Sequence, residues 1–105
     1  MEIYYYMSSG CIKQYIETQK IRDYLLSNTL LHETEEGTFF CKSLFIDISL
    51  MNVKNIERYS SNDYDTNKTN YISIIIDESD RENNAIILLF MELEKITGWS
   101  IVEEC

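Results

Sequence analysis

The chain has 105 residues, 45% of them hydrophobic and 12% aromatic, with 9 basic and 18 acidic side chains and a formal net charge of −9. One globular domain over residues 1–105 is expected, because half that length rarely holds a core without staples, and the apolar content excludes a disordered acidic tail. The charge weighs against nucleic acid as a direct partner, since neutralising phosphates takes a basic surface.

Glu2–Met7 is aromatic and apolar and reads as a first strand. Ser8-Ser9-Gly10 offers a turn and a helix N-cap. Cys11, Ile12, Tyr15 and Ile16 share one helical face and Ile21, Tyr24 and Leu25 another, so a helix is expected from about 10 to 27, bent or broken near Thr18–Lys20 where the phase slips. Segments 28–35 and 38–48 flank Glu36-Gly37, a hairpin turn in which glycine supplies the positive φ. Segment 53–59 is ambiguous between a strand and a helical turn, and 60–70 is polar loop. Tyr71–Asp77 has the isoleucine density of a central strand covered on both faces. Ser79-Asp80-Arg81-Glu82 matches a capping box ahead of a helix from about 80 to 97, ended by Gly98. Apolar residues surround most of Ala85–Met91, which predicts a deeply buried helix. Trp99–Glu103 is a last strand. The order β-α-β-β-(β)-β-α-β predicts an α+β domain: a mixed, largely antiparallel sheet of five to six strands with two helices packed on it.

Residues 1–7 carry Glu2 and no basic flank, so no secretory signal is expected. The longest strictly apolar run, Ala85–Met91, is far short of the roughly 20 residues that span a bilayer. Cysteines 11, 41 and 105 are odd in number and lack a CxxC spacing, which suits a reducing cytoplasm; Cys11 and Cys41 read as small buried hydrophobes. No residue constellation points to catalysis. His32 beside Glu33 is the lone candidate for a general base, and no nucleophile stands at a recognisable spacing from it. Three scattered cysteines and one histidine do not make a zinc set. Asn62–Asn67 alternates oxygen donors but lacks the glycine and the distal glutamate of a calcium loop, having Ser73 at the twelfth place. The expectation is a protein that is not an enzyme and uses no cofactor and no metal.

The charge is unevenly placed: residues 1–52 hold 7 acids and 4 bases, residues 53–105 hold 11 acids and 5 bases. Acids cluster at Glu33, Glu35 and Glu36, at Asp63 and Asp65, and at Asp77, Glu78 and Asp80, with Tyr59, Tyr64 and Tyr71 bordering the polar loop. If the sheet order brings those strand ends together, they form one negative face rimmed by tyrosine, suited to steering and holding a basic protein. In size, charge and Tyr/Asn/Ile-rich character the chain resembles the small acidic immunity proteins of bacterial toxin systems, including contact-dependent inhibition. That resemblance implies a single cytoplasmic domain that binds and blocks a cognate toxin, often a nuclease with a basic cleft; with the acidic clusters, the leading expectation is a non-enzymatic inhibitor that places carboxylates where phosphates would bind. The alternative is a structural or regulatory subunit, monomeric or weakly homodimeric, pairing through an exposed strand such as Tyr4–Tyr6 or Trp99–Val102.

Overall fold

The computed structural model describes residues 1–28, 30–41, 43–55 and 63–104. The elements in chain order are β1 (Glu2–Met7), β2 (Ile16–Glu17), α1 (Thr18–Asn28), β3 (His32–Glu35), β4 (Thr38–Cys41), β5 (Ile46–Met51), β6 (Lys68–Thr69), β7 (Tyr71–Asp77), a 3₁₀ turn (Glu78–Asp80), α2 (Asn84–Thr97) and β8 (Ile101–Glu103). Six strands form one sheet in the order β3-β4-β5-β7-β1-β8, and β2 and β6 form a small ribbon. Every pairing is antiparallel. The α+β class and the two-helix layer are as the sequence predicts.

Alternation along the strands decides which face is covered. Ile3, Tyr5 and Met7 of β1 stand opposite Ile76, Ile74 and Ile72 of β7, which stand opposite Ile46, Ile48 and Leu50 of β5. With Phe39 and Cys41 of β4 they form a core with Ile21 and Leu25 of α1 and Ile86, Leu89 and Leu93 of α2. Both helices therefore lie on one face, and each fully buried isoleucine contributes on the order of 1.5–3 kcal/mol. The other face is open over its upper part. Its lower part is closed by a second cluster of Met51, Val53 and Tyr71 with Tyr6 against it. Asn70, almost fully buried, fixes that closure: its amide exchanges hydrogen bonds with both backbone groups of Val53 (2.7 and 2.9 Å) and donates to the Ile12 carbonyl (3.0 Å).

Several sequence expectations are corrected. Only the second half of the 10–27 segment is helical. Thr18 opens α1 fully buried, its hydroxyl 2.8 Å from that of Thr69 and donating to the Asp65 carbonyl, so tertiary contacts turn the preceding residues into ribbon. The 38–48 arm is two strands, reversing through a turn at Ser43–Phe45. Helix α2 starts after Asn83, whose side chain accepts from the Ala85 amide, so the Ser79 capping box is not used. Strand β7 is covered on both faces only at its Tyr71 end; further along, Ile75 lies on the open side. Helix α2 is not deeply buried: Leu88 is 58% and Met91 60% exposed. Cys11 is exposed, whereas Cys41 is buried. The Glu36-Gly37 turn and the Gly98 cap hold, with φ of +84° and +74°. Residues 56–59 of the ambiguous segment and 60–62 of the loop lie outside the described residues. No helix among the described residues is long and apolar enough to cross a membrane.

Candidate partner-binding surface

The sheet order separates the acidic clusters. Glu35 is in register with Thr38, Ser49 and Ser73, whereas Asp77 is four residues further along β7. Three strand spacings and four residues place their backbones roughly 20 Å apart. Glu33, Glu35 and Glu36 gather with Tyr64 and Asp65 at the β3–β4 corner; Asp77, Glu78 and Asp80 stand at the opposite end of the sheet.

At the corner, much of the acidity is already engaged. Glu33 Oε1 pairs with Arg22 of α1 at 2.6 Å, and its other oxygen accepts from the Gly37 amide at 3.0 Å. Its hydrogen bond to Glu33 leads in holding the Arg22 guanidinium above its ordinary range. The Tyr64 ring lies over Gly37, where a Cβ would overlap it. Burial raises the Tyr64 phenol, and it is half-buried rather than a free rim. Asp65 accepts from the amides of Asn67 and Lys68 at 2.7 and 2.9 Å, and the Asn67 bond leads in lowering its carboxyl below the usual value. The backbone carbonyl of Asp63 accepts from the Asn52 amide. Glu35 and Glu36 are the exposed acids here.

The opposite end has another character. On the open face one row crosses five strands: His32 opposite Phe40, Phe40 opposite Asp47, Asp47 opposite Ile75, and Ile75 opposite Tyr4. Glu104 completes it, donating its amide to the Tyr4 carbonyl at 2.7 Å. Above that row Glu2 pairs with Asp77, and Phe45 lines a hollow with Met1, Glu2 and Asp77. Asp47 is half-buried and, among the described residues, has no hydrogen-bonding or ionic partner; desolvation first, and Glu2 second, raise its carboxyl above the usual range. Tyr4 donates to Glu2 at 3.3 Å, and the charge of Glu2 leads in raising its phenol. Tyr71 is buried yet reaches Glu104 with its hydroxyl at 3.2 Å. Asp77 accepts from the Ser79 amide and lies 3.6 Å from the Met1 amino group, the Ser79 bond leading in lowering its carboxyl. Glu78, Glu82 and Glu103 are exposed around this rim, with Asp80 half-exposed. Against these carboxylates stand, among the described residues, Arg81, which holds Glu103 at 2.9 Å, and the Met1 amine. Lys13, Lys20, Lys54, Lys68 and Lys95 belong to segments at the far end.

The sequence reading named Asp77, Glu78 and Asp80 at this end; the fold sets Glu2, Tyr4, Asp47 and Glu104, which it did not name, beside them. Alternation in β1 and β5 could have put Glu2, Tyr4 and Asp47 on a common face, but nothing local shows that β1 and β5 flank the same strand. Tyr59 lies outside the described residues. The strand Tyr4–Tyr6 is no free edge, since β1 is paired on both sides; β3 and β8 are the edges. No group of three or more His, Cys, Asp or Glu among the described residues is placed to hold a metal ion. A surface of carboxylates and exposed aromatic rings can bind cationic protein by charge and contact area. Comparison with protein-family models, curated proteins and solved structures finds no match to this chain.

Proposed function

We propose that this chain is a non-enzymatic inhibitor of the immunity-protein kind, acting in the cytoplasm by covering a basic surface of a toxin, with a nuclease as the favoured partner. The observation that carries the reading is the open upper sheet face. There Glu2, Asp47, Asp77 and Glu104 surround Tyr4, Phe40 and Phe45, and the cations near them among the described residues are already paired. Glu2 and Asp77 stand opposite one another on neighbouring strands, about 5 Å apart at the backbone, and Asp47 lies one strand over and two residues along, roughly 8 Å from Asp77. The uncompensated field steers a cationic partner, and the aromatic rings supply contact area at low entropic cost. Asp47 contributes more than an exposed acid would, because a partner's Arg or Lys would pair a carboxylate whose desolvation is already partly met.

The test is affinity capture on the immobilised chain from the native host's lysate, eluted in rising salt. A basic protein released by salt, whose nuclease activity is silent while bound, is the expected result. The variant carrying Glu2→Lys and Asp47→Lys should lose that protein, whereas Glu35→Lys with Glu36→Lys at the far corner should retain it. Equal loss from both variants, or capture that resists salt, would remove the open face from the mechanism.

A further inference from the structure

Helix α2 buries Ile86, Leu89, Leu93 and Thr97 and turns its opposite side to solvent. At 100° per residue, Asn84, Leu88, Met91 and Lys95 fall on one line directly away from the core, a stripe about 16 Å long. Ile87 flanks it, 43% exposed. On the α1 side a groove of about 190 Å³ separates Leu88 and Ala85 from Leu30, which is 71% exposed, with Tyr24 and Leu44 on its floor. The exposed apolar side chains offer on the order of 500 Å² in one patch, at the upper end of what a monomer normally leaves bare. This surface lies on the helical layer, opposite the acidic sheet face, and does not depend on that face's role.

We propose that the patch is the interface of a homodimer in which two α2 helices pack antiparallel about a two-fold axis. The stripe is its own complement: a two-fold axis midway between residues 89 and 90 sets Leu88 against Met91 of the second copy, and Lys95 against the second copy's Asn84. The exposed Glu82 and the half-exposed Asp80 precede that position. Each Lys95 thus meets the acidic entry of the opposing helix, twice per dimer, as an isologous contact requires. A parallel arrangement would set Lys95 against Lys95. Elsewhere the net charge of −9 repels a second copy; here the contact is apolar at its centre and opposite in charge at both ends. Two patches together bury about 1,000 Å², the lower bound for a specific interface, so the dimer is a weak, concentration-dependent one. It leaves both acidic faces pointing outward.

Sedimentation equilibrium of the full chain, from about 1 μM to about 0.5 mM, reads this directly. The expected result is a monomer–dimer equilibrium inside that range. Leu88→Glu should weaken it at least about a hundredfold with unchanged circular dichroism, because the side chain faces solvent in the monomer. Lys95→Glu should weaken it roughly tenfold, and adding Glu82→Lys to that variant should restore it to within about threefold of wild type. A monomer mass throughout, a dimer indifferent to Leu88→Glu, or a charge swap that does not restore association would each overturn the proposal. Salt-resistant capture of a different protein by the stripe, with the chain itself monomeric, would overturn it as well.

Discussion

At the β3–β4 corner, Glu33 is held by Arg22 and the Gly37 amide, and Asp65 by two backbone amides of its own turn. At the far end of the sheet, Asp47 sits among Phe40 and Ile75 with no partner among the described residues, and the charge of Glu2 repels it. Both are carboxylates, although Glu33 belongs to an acidic run and Asp47 stands alone in an apolar one. The difference is what the backbone brings within reach: a helix arginine and free N–H groups in one place, a sheet face with apolar neighbours in the other. Acids of the first kind stabilise the fold. Acids of the second kind cost stability, and under the proposed function they are the ones left for a cationic partner.

The largest effect is expected from breaking the corner at Gly37. In Gly37→Ala the new Cβ meets the Tyr64 ring at a positive φ, and the combined clash and backbone strain should cost about 2–4 kcal/mol. Thermal unfolding should then shift down by roughly 10 °C or more. Glu33→Gln is next: it leaves Arg22, whose Nε is already buried without an acceptor, short of its counter-charge, at a cost of about 1–2 kcal/mol in urea denaturation. A variant as stable as wild type would show that the corner acids are no more structural than those of the open face.

Asp47→Asn should act in the opposite sense. Because the folded-state carboxyl titrates above 3.8, its ionisation opposes folding once pH exceeds the raised folded value, and the penalty is absent below 3.8. At pH 7 the substitution should therefore stabilise by a few tenths of a kcal/mol, discounted for the half of the side chain that water reaches, and the gain should vanish near pH 3. Asp65→Asn is the mirror case. The lowered carboxyl supplies stability that is fully present above 3.8 and is lost as pH falls through its folded value. The variant should lose stability at neutral pH and show a flatter acid limb. Parallel denaturation curves from pH 2 to 7 compare the two; the same sign for both would dissolve the contrast between the ends of the sheet.

Local chemistry is where sequence reading was dependable. Gly37 and Gly98 were legible because a positive φ selects glycine over any side chain, and Tyr71–Asp77 because β-branched density favours a strand. Reading failed where two distant segments decide the outcome. The apolar circumference of Ala85–Met91 signals burial, yet the sheet can cover only one side of a helix, so Leu88 and Met91 are left outside. The helix expected over residues 10–15 gave way to the Thr18–Thr69 and Asn70–Ile12 contacts, which span more than fifty residues.

The amino-acid sequence by itself determined the α+β class, the turn and cap positions, the amphipathic alternation of the strands and the excess of negative charge. Each of these depends on neighbours in the chain. Only the tertiary structure decided that the acidic clusters part to opposite ends of the sheet, which carboxylates find internal donors, and that the upper part of one sheet face and one helix stripe stay bare. Those outcomes depend on strand order, and strand order is set by packing between segments whose sequences carry no mark of one another.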